Sequence, residues 1–294
     1  WGQQGANVTR DSQGVSTDER VAAVLEAAAS AGVGVSWHLE PYGGRTPASI
    51  VDDLRYLART YGQHPAVWRS DTTGGRPLVF LYDVSFEHSG NDQQSRDAAG
   101  AEWRRVLAGL RGTDADAMLL SLYIDERDDD FLIEAGIDGA YSYFAADGFT
   151  HGATAAKWHA IVERLGARGK HFVPSVGPGY DDTRIRPWNA HNMRAREAGA
   201  YYDRMWEAAL AITPFAISIT SYNEWGEGTQ IEGARTHTSK AGEVYLGYEP
   251  HAPDFYLQRT SQWTERVKER CARKSPSRNM GEKIADRIEL ATEL

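Results

Sequence analysis

Residues 215–232 read F-A-I-S-I-T-S-Y-N-E-W-G-E-G-T-Q-I-E, and this stretch decides how the rest of the chain is read. Phe215, Ile217 and Ile219 alternate with small residues after Pro214, the pattern of a buried strand. The pattern then stops. Asn223, Glu224, Trp225, Glu227, Gln230 and Glu232 crowd around Gly226 and Gly228. A barrel strand ends in this way, with chemistry on the loop that follows it. Glycine lets the backbone turn sharply, so Glu224 and Glu227, three residues apart, can address one small volume. The plain alternative is a surface turn with two solvated glutamates. Trp225 counts against it, because a solvated turn gains nothing from a large aromatic. Sugar rings offer C–H faces for stacking and hydroxyls for hydrogen bonds, so an aromatic beside paired carboxylates suits a carbohydrate site.

Outward from this stretch, strands and helices alternate. Strands are expected over Val33–Leu39, Leu78–Tyr82, Met118–Ile124, Gly139–Phe144 and His171–Val176. Helices are expected after a Ser16/Glu19 capping pair, after Thr46 with Pro47 at the first position, and over about 93–110, 131–135, 153–165, 192–212 and 253–273. The acidic run from Asp125 to Asp130 reads as a helix N-terminus favoured by the dipole rather than a calcium site. Such alternation means a parallel α/β fold. Polar residues follow nearly every strand: Glu40, Asp83, Tyr143, Arg186, Glu224 and Glu227. A doubly wound sheet would gather them at one switch point, so the spread favours a barrel. A (β/α)8 barrel needs eight strands and six are visible; the opening W-G-Q-Q-G reads as the loop after a strand. The expectation is an N-terminally truncated (β/α)8 TIM barrel over residues 1–273, lacking strand 1, helix 1 and most of strand 2. Residues 274–294 read as a charged C-terminal tail.

The net charge of −9 over 294 residues argues against nucleic acid and against an anionic membrane surface. Nine Trp and fourteen Tyr suit a polyhydroxylated ligand, although core packing must account for many of them. With the single cysteine Cys271, no intrachain disulfide can form. No apolar run approaches membrane-spanning length. The sequon at Asn7–Thr9 matters only in a glycosylating compartment. The nine histidines show no metal-ligand spacing, and Gly177-Pro178-Gly179 lacks the lysine of a phosphate loop. No metal and no cofactor are expected.

Five stretches carry a resemblance: H-L-E-P-Y-G-G-R at 38–45, D-G-A-Y-S-Y-F-A-A-D-G-F-T at 138–150, P-S-V-G-P-G-Y-D-D-T-R-I-R-P-W-N at 174–189, the I-T-S-Y-N-E-W-G-E-G-T-Q-I-E run, and Y-L-G-Y-E-P-H-A-P-D-F-Y-L at 245–257. In this order they make the chain resemble glycoside hydrolase family 99, the endo-α-1,2-mannosidases and mannanases, from the first residue to about Val267. The resemblance implies a (β/α)8 barrel and retaining hydrolysis within α-mannosyl chains, without a metal. Carried over, Glu224 would be the general base and Glu227 the general acid. Glu40, Tyr42, Tyr143, Arg186 and Asn223 would bind sugars, and Trp1 would touch the sugar on the non-reducing side of the cleaved bond. Many members have histidine where this chain has Gly226, which bears on a leaving-group contact but not on the carboxylates. The expected partner is an oligosaccharide or glycan, N-glycan or mannan, met by a monomer. The implied compartment is the Golgi lumen for a eukaryotic source, or outside the cytoplasm for a bacterial one.

Individual residues keep alternatives. Glu40 is a sugar ligand or a salt-bridge partner, for instance of Arg45. Arg186 binds hydroxyls or pairs with Asp181 or Asp182. His38 lies two residues before Glu40, so an extended strand turns both to one side; it binds sugar or orients Glu40. Competing functions are a barrel hydrolase acting on another α-linked glycan and a non-catalytic carbohydrate-binding barrel. The presence of both carboxylates counts against the latter.

Overall fold

The structure is a computed structural model that describes residues 1, 17–87, 92–240, 242, 244–274 and 290–292. The opening loop with its sequon, Ser16 of the expected capping pair, and most of the C-terminal tail lie outside the described residues. The chain divides into two compact units, 1–141 with 163–172 and 142–162 with 173–294.

The first unit begins with helix α1 (Asp18–Ala31), which ends at Gly32 in the left-handed region. Five strands form one sheet in sequence order: β1 (Trp37–Leu39), β2 (Leu78–Leu81), β3 (Met118–Leu122), β4 (Gly139–Tyr141) and β5 (His171–Val173). β1 to β4 pair in parallel, with Leu39 beside Leu81, Leu78 beside Met118 and Leu120 beside Gly139. Every residue of β2 and β3 is buried, as expected for parallel strands covered on both faces. Gly139 is required by its neighbours, since a Cβ there would lie 2.5 Å from the His171 carbonyl oxygen.

Helices cross between these strands. In α2 (Pro47–Tyr61), Thr46 Oγ1 accepts the Ser49 N–H at 3.1 Å and Ser49 Oγ accepts the Thr46 N–H at 2.9 Å. This reciprocal cap and the proline at the first position start the helix where expected. A short α3 (Val84–Glu87) precedes α4 (Gln93–Ala108), whose Asp92 cap accepts the Ser95 N–H at 2.8 Å. Asp128, Asp129 and Asp130 of the acidic run form the first turn of α5 (Asp128–Ala135), so this helix starts earlier than its apolar residues predict. Asp128 accepts the N–H groups of Ile124 and Asp125 and pairs with the buried Arg96 at 3.2 Å, which fixes the loop after β3.

The second unit contains β6 (Ser175–Val176), β7 (Ile217–Ile219) and β10 (Leu290–Thr292), the last lying in the stretch expected as a tail. β7 is flanked by β6 and β10, both parallel to it. A single strand was expected over 171–176. Pro174, which has no N–H to give, interrupts it, and β6 turns to β7 instead, with Ser175 and Ser218 hydroxyls 2.6 Å apart. Residues 217–219 are all buried, so β7 is covered on both faces rather than alternating. The remaining elements are α6 (Trp158–Gly166), whose last residues belong to the first unit, α7 (Ala200–Ala211), the hairpin β8 (His237–Thr238) and β9 (Val244–Tyr245), and α8 (Phe255–Lys274).

α7 is shorter than the helix expected over 192–212. Ala198 (φ 51°) and Gly199 (φ 94°) reverse the chain just before it. At Gly199 a Cβ would come 2.9 Å from the Phe255 ring. α7 and α8 dock through Trp206 and Trp263, stacked with centroids 6.1 Å apart. Asp203 accepts from Arg259 Nε at 2.6 Å and from the Trp263 indole at 2.8 Å. No helix among the described residues is long and apolar enough to cross a membrane.

Candidate active site

In the second unit the loop after β7 is closed on itself. The Ser221 N–H donates to the Thr229 carbonyl at 3.0 Å, and the Ile231 N–H donates back to the Ser221 carbonyl at 3.0 Å. The Ser221 hydroxyl also accepts the Glu224 N–H at 2.8 Å. Residues 222–228 therefore project from a pinned base. Gly228 (φ 64°) makes the turn and lies where a Cβ would meet the Asp181 carbonyl oxygen at 3.0 Å.

The two glutamates on this loop sit in different surroundings. Glu224 is exposed, and its Oε1 accepts the Gly226 N–H at 3.0 Å. A Cβ at Gly226 would lie 2.9 Å from that oxygen, so glycine admits this pose. Glu227 is 17 % exposed, and its Oε1 accepts from Arg186 Nη1 at 3.0 Å. The same Nη1 donates to Asp182 Oδ2 at 3.1 Å. Burial pushes the Glu227 carboxyl above the ordinary glutamate value. Arg186 opposes this, while the charges of Glu224 and Asp182 add to it. One carboxylate in water beside another held towards its neutral form is the arrangement that separates a base from an acid.

Other expected ligands gather here. Asn223 is exposed. Trp225 donates its indole N–H to Glu232 at 2.9 Å and meets Tyr245 edge-on, so it forms a wall of the loop. Tyr143 follows β4 with φ 56°, and its carbonyl accepts the Thr220 hydroxyl. A left-handed backbone at a bulky residue is strained.

The first unit holds the others. His38 Nδ1 lies 2.8 Å from Glu40 Oε1 and Nε2 lies 2.7 Å from the Tyr141 hydroxyl. Both ring nitrogens are thus engaged, and His38 orients Glu40, whose side chain is 44 % exposed. Burial alone would raise the Glu40 carboxyl; the hydrogen bond and charge of His38, with the charge of Arg45, outweigh it and hold the group below its usual value. Trp1 stacks on Tyr56 at 6.0 Å and donates its indole N–H to Asp18 at 3.2 Å, and its carbonyl accepts the Glu40 N–H. Tyr42 faces inward: it is 9 % exposed and its hydroxyl donates to Asp53 at 2.6 Å beside Ser49.

The structure brings Glu224, Glu227, Arg186, Asn223 and Trp225 together in one unit and Trp1, His38 and Glu40 in the other. Sequence reasoning left the partner of Arg186 open between Asp181 and Asp182, and it missed Tyr141, Asn189 and Glu232 as supports. The Asp182–Arg186 spacing of four was the available signal for the first. Among the described residues no group of three or more His, Cys, Asp or Glu is set to hold a metal ion.

A parallel α/β fold with two unlike carboxylates on a post-strand loop, beside Trp225 and Tyr245, is an arrangement on which a glycoside hydrolase can be built. The profile of glycosyl hydrolase family 99 matches residues 6–269, and the chain belongs to that family. It is 40 % identical over 262 residues to the glycoprotein endo-α-1,2-mannosidase-like protein of Danio rerio, covering 87 % of this chain and 57 % of the relative. It is 38 % identical over 258 residues to the glycoprotein endo-α-1,2-mannosidase of Xenopus laevis, covering 87 % and 56 %. The chain thus spans little more than half the length of these curated relatives. The solved structure of the endo-α-mannosidase of this family from Bacteroides thetaiotaomicron is 41 % identical, with a TM-score of 0.78 over 86 % of this chain and 75 % of that one. The fold class is accordingly the (β/α)8 barrel.

Proposed function

We propose that the protein is a retaining endo-glycosidase that cleaves α-1,2-mannosidic linkages in N-glycans or mannan, with Glu224 as general base and Glu227 as general acid. One observation carries the assignment of roles. Glu227 is the carboxyl pushed up by burial, on an arginine, while Glu224 three residues earlier is exposed. The relatives named as endo-α-1,2-mannosidases supply the linkage.

In an α-mannoside O2 lies trans to the leaving group and can attack C1 from the back. Glu224 removes the O2 proton, Glu227 protonates the departing glycosidic oxygen, and the C1–O bond breaks as the O2–C1 bond closes. The product is a 1,2-anhydro sugar. Water then opens it at C1: Glu227, now ionised, takes a proton from the water, and Glu224 returns its proton to O2. Two inversions give net retention. General acid–base assistance of this kind contributes about 10²–10⁴-fold per group. In the second unit, Tyr143, Arg186, Asn223 and Trp225 are proposed as sugar contacts; in the first unit, Trp1 and Glu40 are proposed as sugar contacts, with His38 aligning Glu40.

The test is a panel of α-1,2-, α-1,3- and α-1,6-linked mannosides followed by NMR of the first-formed anomer. Internal α-1,2 cleavage with retained configuration is expected; inversion, or cleavage only of another linkage, sinks the proposal. A substrate without its 2-hydroxyl should not turn over. A covalent adduct on Glu224 from a 2-deoxy-2-fluoro substrate would instead make Glu224 a nucleophile.

A further inference from the structure

Arg186 does not serve Glu227 alone. Its Nη1 donates to Glu227 Oε1 at 3.0 Å and to Asp182 Oδ2 at 3.1 Å, one nitrogen between two carboxylates. An arginine devoted to a single carboxylate commonly forms a two-bond fork. Here the nitrogen is divided instead. We infer that Asp182 is a positioning residue, a buried anion that fixes Arg186 Nη1 between itself and Glu227, so that the arginine aims Glu227 without committing its whole charge to it. The inference rests on the proposed role of Glu227 as the acid.

The construction around Asp182 supports this. Its side chain is 1 % exposed. Asn189 Nδ2 donates to Asp182 Oδ2 at 2.9 Å and lies 3.2 Å from the Tyr180 hydroxyl. The Asp182 carbonyl accepts the N–H groups of Ile185 and Arg186 at 2.9 and 2.7 Å, which sets the turn that presents Arg186. Burial would raise the Asp182 carboxyl, but Asn189, Tyr180 and Arg186 together hold it below its usual value, so it stays ionised while Glu227 titrates. The charged and titratable groups facing Glu227 are Arg186, Glu224 and Asp182, with the Tyr180 hydroxyl behind them, itself pushed up by burial and by Asp182. Because Arg186 is the cation that hydrogen-bonds Glu227 among the described residues, dividing it matters for the state of the acid.

The test is the pH profile of kcat/KM for Asp182→Asn. With the competing anion gone, Arg186 turns its charge to Glu227, the acid ionises earlier, and the basic limb should move down by about one pH unit. A limb that stays put, or one that moves up because Arg186 has come away from Glu227, overturns the inference. A substitution with a merely structural effect would lower the whole profile without moving the limb. Should Asp182→Asn fail to fold, carboxyl ¹³C titration of the unaltered protein decides instead. Asp182 must remain ionised across the range in which Glu227 titrates, and joint titration in the ordinary range refutes the inference. Glu227→Gln separates the two claims. Full activity of that variant on an unactivated mannoside removes Glu227 as the acid, whereas the influence of Asp182 on Glu227 is still read by NMR.

Discussion

At the scale of single residues, the difference between Glu224 and Glu227 makes distinct predictions. Glu224→Gln and Glu227→Gln should each lose about 10²-fold or more on a natural linkage. With an activated aryl leaving group that needs little protonation, Glu227→Gln should recover part of its first step and Glu224→Gln none; equal recovery of both would contradict the roles. Stability makes a separate prediction. The Glu227 carboxyl is raised in the folded state, so its contribution to stability is full below the unfolded pKa and is lost as pH rises through the folded one. Glu227→Gln should therefore melt no lower than the parent at neutral pH, and its advantage should vanish at pH values below the ordinary glutamate range. A variant clearly less stable at pH 7 would show that Glu227 is comfortable as an anion. The paired glutamates were legible in the sequence because an aromatic and two glycines surround them. Asp182 was not: in the Asp181-Asp182 dipeptide nothing marks which side chain turns inward, and only the fold leaves the first exposed and buries the second.

At the scale of elements, β7 lies between parallel β6 and β10, and the helix before it, α7, docks on α8. The α7–α8 contact is built on Trp206, fully buried, against Trp263. Trp206→Ala should cost about 3–5 kcal/mol, read from denaturant midpoints. Gly199→Ala should also destabilise, because the position has φ 94° and faces Phe255; a neutral result would mean that the turn before α7 relaxes freely. Element type was readable from periodicity and caps, as Thr46-Pro47 shows, whereas element length was not. The expected strand over 171–176 splits because Pro174 ends one pairing and begins another. The expected helix over 192–212 loses its first two turns to Ala198 and Gly199, whose geometry is set by contacts with α8 that no local pattern announces. β10, whose partner β7 lies far away in sequence, left no such signal.

At the scale of the molecule, the alternation of strands and helices, with polar residues after nearly every strand, was enough to choose a barrel. The match to a solved relative at a TM-score of 0.78 agrees with that choice. With both proton transfers assigned to glutamates, treatment with a chelator should leave turnover unchanged; loss of activity that added divalent cation restores would require a different mechanism. The backbone at Tyr143 holds φ 56° where glycine would sit without strain. Holding a bulky residue there costs about 1–3 kcal/mol. Selection for stability alone would erase such a residue within a lineage, since a change to glycine relieves the cost. If Tyr143 holds the glycan as proposed, that use is what keeps tyrosine at a costly position. Tyr143→Gly should then keep its stability and lose glycan affinity; unchanged affinity would leave the strain without a use.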